Sequence, residues 1–183
     1  MTRPPSRPPV ESIELRLDAA GDAAVRELWQ RVAAAGVNTM ARHEYNYPHV
    51  TLAALAHTGG ALAAARGELA ATVAPLVGSE VRLIGLGLFP HRHSVLYATT
   101  LATTLMLHCH GQLHEALDAA GLETYPTTRP GGWTPHTTIA KRVRTEQLGD
   151  ALMASVGVEW PIVTRVASIV HWDGASRVLT TIA

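Results

Sequence analysis

Two short segments repeat one arrangement of reactive side chains: Pro48-His49-Val50-Thr51-Leu52-Ala53 and Pro135-His136-Thr137-Thr138-Ile139-Ala140. In an extended strand, residues two apart face the same way. His49 and Thr51 then share one face while Val50 and Leu52 point to the core. His136 and Thr138 likewise stand opposite Thr137 and Ile139. Each strand presents an imidazole beside a hydroxyl, and each proline sits at a strand start, where proline is tolerated. An imidazole titrates near pH ~6.5 and serves as base or acid. A hydroxyl donates to a phosphoryl oxygen without repelling it. Two such strands lining one cleft supply what phosphodiester transfer requires. A neutral histidine takes a proton from water, and a protonated one gives a proton to the departing alkoxide. That scheme uses no metal ion and no cofactor.

Other residues near the pairs have two readings each. Tyr45, Tyr47 and Trp133 precede the motifs and are placed to stack on a base; the competing reading is ordinary packing at a sheet rim. Lys141 and Arg142 follow the second motif, as phosphate-attracting cations or as solvated strand-end charges. His110 and His114 have the i, i+4 spacing of helical zinc ligands, with His91 and His93 as further candidates. The glutamate of a metalloprotease motif is missing and no cysteine lies in a ligand position. A polar helix face and a surface turn account for these four, and no metal site is expected.

The elements that must position the pairs follow from periodicity. Ser12–Asp18 alternates Ile13, Leu15 and Leu17 with polar residues, as in a half-buried strand. Val25, Leu28, Trp29 and Val32 have helical spacing, with Gly36 as a stop. Leu62, Ala65, Leu69 and Val73 predict a second helix, closed by Pro75. Val81–Phe89 and Ser94–Leu101 read as a hairpin. Leu105, Cys109, Leu113 and Leu117 predict a third helix, and Leu148, Leu152 and Val156 a short fourth. A terminal hairpin turns at Asp173-Gly174-Ala175-Ser176. Each motif strand lies between helices and is followed by a hairpin, so the chain is a rough internal duplication.

At 183 residues and 47% apolar content, the chain suits one domain with a real core. The expected organisation is a flexible Pro-rich tail over residues 1–10 and a single domain over 11–183. The first ten residues lack the apolar stretch of a secretory signal, and no run of 18 apolar residues predicts a membrane helix. One cysteine, Cys109, fits a reducing cytoplasm. Fifteen basic residues balance fifteen acidic ones, which excludes a grip on long duplex nucleic acid through many phosphates. A small anionic ligand needs only a few donors. Nothing in the sequence calls for an obligate protein partner.

The paired His-x-Thr-aliphatic segments, with the strand pair around Gly85–Pro90 and the Gly132–Arg142 context, resemble the two-histidine (2H) phosphoesterase superfamily. Within it the chain is most similar to the 2′-5′ RNA ligase and cyclic nucleotide phosphodiesterase branch. The element order fits over nearly the whole domain. Thr137 departs mildly from the pattern, since members often carry an aliphatic residue there. The resemblance implies an α+β, bilobal, pseudo-twofold fold with two antiparallel sheets lining a central cleft and helices outside. It implies metal-independent hydrolysis of 2′,3′-cyclic phosphates to 2′-phosphates on a small cyclic nucleotide or RNA terminus, with 2′-5′ RNA ligation as the reverse type of reaction. It assigns His136 as base, His49 as acid, and Thr51 and Thr138 to the substrate phosphate. A non-catalytic module holding nucleotides or RNA ends in the same cleft is the alternative. Loops 36–46 and 123–133 would set specificity.

Overall fold

Strand β1 (Val10–Leu17) begins one residue before the expected domain start. It leads through α1 (Ala19–Ala34) to the first motif strand, β2 (His49–Ala56). Helix α2 (Ala61–Val73) follows, then the hairpin β3 (Glu80–Phe89) and β4 (Ser94–Thr100). Helix α3 (Thr104–Ala119) leads to the second motif strand, β5 (His136–Val143). Helix α4 (Leu148–Met153) and the hairpin β6 (Ile162–Asp173) and β7 (Val178–Thr181) complete the fold. The structure, a computed structural model, describes residues 9–42 and 45–183. The rest of the expected tail, and positions 43 and 44 of the first specificity loop, lie outside the described residues.

All strand pairs are antiparallel, in the order β2-β1-β6-β3-β4-β5, with β7 beside β6. The two expected sheets are therefore joined. The start of β6, Ile162–Arg165, pairs with β3, while Val166–Asp173 pairs with β1. The motif strands are the two ends of this path. A sheet edge leaves backbone groups unpaired, and here the segments after α1 and α3 cover them crosswise. Thr39 bridges Ala140 on β5, and Thr124 bridges Leu55 on β2.

The duplication is visible residue by residue. Glu14 and Arg16 of β1 pair with Thr51 and His49, as Tyr97 and Thr99 of β4 pair with Thr138 and His136. Both registers slip at the same place, just beyond the threonine, skipping Leu52 and Ile139. The helices are exchanged between halves. Trp29 of α1 donates Nε1–H to the Thr138 carbonyl (3.0 Å), and His114 of α3 donates Nε2–H to the Leu52 carbonyl (3.2 Å).

Local chemistry explains the helices. Asp18 caps α1 by accepting from Gly21 N (2.9 Å) and from Thr164 Oγ1 (2.7 Å). A Cβ on Gly21 would stand 2.1 Å from Thr164 Oγ1, so only glycine lets α1 lie this close to β6. Val25, Leu28, Trp29 and Val32 are buried as their spacing predicts. Helix α3 departs from expectation: Leu105 is exposed, Met106 takes its place in the core, and His110 and His114 are buried too. Helix α4 ends at Met153, which leaves Val156 beyond it and exposed. No helix among the described residues is long and apolar enough to cross a membrane.

Candidate active site

Val50, Leu52, Thr137 and Ile139 are buried, while His49, Thr51, His136 and Thr138 stand half-buried on the opposite face. The alternation is the expected one. The slip beyond each threonine then shifts the parity, so the next residue on the open face is the one that follows each six-residue motif. That residue is Ala54 in one half and Lys141 in the other.

Both imidazoles are held by one device. His49 Nδ1–H donates to the Tyr47 carbonyl (2.9 Å), and His136 Nδ1–H donates to the Thr134 carbonyl (2.7 Å). A carbonyl accepts only from N–H, so Nδ1 carries the proton and Nε2 is the nitrogen free for proton transfer. His49 lines a hollow with Ser12, Glu14, Tyr47, Thr51 and Lys141. His136 lines an adjoining hollow with Thr51, Phe89, Trp133 and Thr134. Thr51 and Ala54 line both, so the two hollows share a wall. Thr138, although on the His136 side of β5, lines neither.

The surroundings of the two histidines are unlike. Glu14 Oε1 lies 3.7 Å from His49 Nε2, and the Ser12 hydroxyl (2.6 Å) and Tyr47 hydroxyl both donate to the Glu14 carboxylate. Glu14 is 5% exposed. Its counterpart in the other half is Tyr97, whose ring centroid lies 5.0 Å from that of His136, as does that of Phe89. Burial among these rings holds His136 below the usual imidazole value, and the charges of His49 and Lys141 push the same way. The surrounding protein lowers the Lys141 ammonium from its ordinary value, against the pull of Glu14.

Several sequence expectations need correction. Tyr47 is no open stacking surface: it is buried, its hydroxyl is committed to Glu14, and the Arg16 guanidinium lies 4.6 Å from its ring centre. Burial, and then Glu14, raise its phenol well above the ordinary range. Trp133 stacks on His110 instead (centroids 3.9 Å apart, planes 8° apart), and its Nε1–H donates to the Thr51 carbonyl (2.9 Å). It still lines the His136 hollow. His110 and His114 are not a polar helix face. His110 Nε2–H donates to the Thr128 carbonyl (2.8 Å), and Thr124 Oγ1 donates to His114 Nδ1 (3.2 Å). Both are neutral core histidines, and burial pushes His110 down to about 4. Arg142 is exposed, while Tyr45 lines the His49 hollow with Arg177 5.5 Å from its ring centre.

Glu14, Phe89 and Tyr97 are the residues that periodicity missed. Alternation with Ile13 and Leu15 sets Glu14 on the polar side of a half-buried strand, and in the fold that side lines the cleft. Only the β1–β2 register places it beside His49.

The 2′-5′ RNA ligase superfamily model matches residues 16–176. Among solved structures, Kluyveromyces marxianus Usb1 aligns at TM-score 0.56 and 12% identity, covering 97% of this chain and 99% of that one. E. coli LigT in apo form aligns at TM-score 0.58 and 16% identity, covering 96% and 95%. TT0787 of Thermus thermophilus aligns at TM-score 0.57 and 20% identity, covering 95% of each chain. Usb1 is also known with uridine monophosphate, and LigT with NADP+ and with 3′-AMP. At these identities the structures show a common fold. No curated protein sequence matches the chain.

Proposed function

Because this chain belongs to the 2′-5′ RNA ligase superfamily, we propose that it is a metal-independent phosphodiesterase that opens 2′,3′-cyclic phosphates to 2′-phosphates. The substrate is a cyclic nucleotide or an RNA end. One observation carries this reading: two histidines share the same Nδ1 lock but stand in opposite electrostatic settings. His136, desolvated among Phe89 and Tyr97, is the base. Its Nε2 takes a proton from water as the water oxygen attacks phosphorus. His49 faces the Glu14 carboxylate, a counter-ion for an imidazolium, and is the acid. It protonates the 3′-oxygen as the P–O3′ bond breaks. Thr51 donates to a phosphoryl oxygen where the hollows meet and Lys141 adds a positive charge, while Thr138, outside both hollows, reaches the phosphate only if the bound substrate extends along β5. Trp133 offers its hollow-facing edge to the base.

With a ribose 5′-hydroxyl in place of water, the same step in the same direction makes a 2′-5′ bond: P–O5′ forms as P–O3′ breaks, with His136 taking the proton and His49 giving one to the 3′-oxygen. The nucleotide complexes of LigT and Usb1 support a nucleotide-sized ligand. The single buried Cys109 fits a cytoplasmic setting. A binding module would keep the ligand and lack turnover. The test is product analysis on a panel of 2′,3′-cyclic nucleotides and cyclic-phosphate RNA ends, with and without EDTA. The expected result is a 2′-phosphate formed equally fast in chelator. Tight nucleotide binding without product supports the module, and activity lost to EDTA and restored by metal overturns the metal-free scheme.

A further inference from the structure

We propose that Glu11, His57, Asp173 and His171 form a site for one divalent transition-metal ion of the zinc class, on the sheet face opposite the cleft. Ser12 and Trp172 line the His49 hollow, so their neighbours Glu11, His171 and Asp173 point the other way. The β1–β6 register sets Glu11 directly opposite Asp173, and Ile13 opposite His171. Two carboxylates facing each other across a ladder are destabilising unless a cation lies between them. Glu11 is 1% exposed, which sharpens that demand.

His57, just past the end of β2, supplies the third donor. Its Nδ1 lies 2.7 Å from Glu11 Oε1 and 3.6 Å from Asp173 Oδ1, and the donor atoms of the three residues lie within 4.8 Å of one another. The fourth group is the independent observation. His171 is 5% exposed, and its Nε2 points at Glu11 Oε2 from 3.4 Å yet makes no hydrogen bond. Buried polar atoms without partners are uncommon, and an absent ion is one cause. Tetrahedral zinc, with bonds of 2.0–2.2 Å, sets its donors ~3.3 Å apart. The 3.6 Å separation already matches this spacing, while His171 stands 3.4 Å from the other Glu11 oxygen, outside the three-donor cluster, and must turn in to complete the tetrahedron. The 2.7 Å contact must open, and His57, with its side chain 35% exposed, has room to move.

Two imidazole nitrogens with two carboxylates suit zinc better than calcium or magnesium, which prefer oxygen alone. Thr58 fixes the Glu11 carboxylate through its backbone N–H (2.9 Å) and its hydroxyl (3.0 Å). An ion here ties β1, the β2–α2 connection and the end of β6 together. Its effect falls on stability and leaves the candidate cleft untouched.

The experiment titrates EDTA-stripped full-length protein with zinc chloride, read by calorimetry and by melting temperature, so it needs no turnover. The expected result is one zinc per chain and a melting temperature raised by about 5–10 °C at a hundredfold excess over Kd. His57→Ala and His171→Ala each weaken zinc binding by about tenfold or more, while His93→Ala in the exposed β3–β4 turn does not. If His171→Ala does not fold, the partly exposed His57→Ala decides alone. Absence of saturable zinc binding, or equal affinity in His57→Ala, overturns the site whatever the cleft does.

Discussion

Glu14 and Tyr97 occupy equivalent places opposite the two motif threonines, and the difference between a carboxylate and a phenol ring divides the labour of the histidines. Each of His49→Ala and His136→Ala is expected to lower turnover by about 10²–10⁴. The double variant should be no slower than either single one, because the two act as a unit. Thr51→Ala and Thr138→Ala cost less, since proton transfer survives. Steady-state kinetics on one cyclic nucleotide checks all five, and near wild-type turnover in either histidine variant places the chemistry elsewhere. His136 lies below the usual imidazole value, so the base stays neutral, and the rate persists, somewhat below pH ~6.5. Glu14→Gln removes the counter-ion of the acid. Turnover on one cyclic nucleotide is expected to fall by about tenfold, and an unchanged turnover would deny Glu14 this role.

At the level of elements, the motif strands are edge strands whose carbonyls are taken by tryptophans from the opposite half. Trp29 holds the Thr138 carbonyl and Trp133 holds that of Thr51. The pseudo-twofold relation makes each half the scaffold of the other half's motif. One flaw sits in β5: Thr137 is 1% exposed and its Oγ1 has no partner. An unsatisfied buried hydroxyl costs about 1–3 kcal/mol. Thr137→Val keeps the shape and removes that cost, so thermal denaturation should show a melting temperature about 2–4 °C higher with unchanged turnover. A lower one would mean that the hydroxyl has a partner after all.

At the scale of the molecule, four histidines among the described residues are kept neutral by burial: His110, His114, His136 and His171. Each titrates lower in the folded chain than the ~6.5 of the unfolded one, so the unfolded state takes up protons first. Their stabilisation is complete above pH ~6.5 and is lost as pH falls. For His110 the loss spans the window down to about 4. The melting temperature should therefore drop across this interval, and His110→Gln should drop less. An equal drop would assign the loss to the other three. The consequence reaches the cleft, because Trp133 rests on the His110 ring and also holds Thr51.

Periodicity alone located every strand and helix to within a few residues, since alternation and 3.6-residue spacing are local consequences of burying one face. The two His-Thr faces were legible for the same reason, and their duplication pointed to one family. What the sequence could not reveal was pairing. Strand β6 serves both halves, β1 lies beside β2, and the helices cross to the opposite half. Each of these joins residues far apart in the chain, through registers that no local pattern encodes. Glu14 beside His49, Tyr97 beside His136 and Lys141 brought to the cleft side by a slipped register all depend on such pairing. The same is true of His110, whose spacing suits a polar helix face or a zinc ligand and which the packing of α3 against Trp133 and the Thr128 carbonyl makes a buried neutral prop. Local chemistry named the reactive groups, and only the long-range packing decided which of them would be acid, base or support.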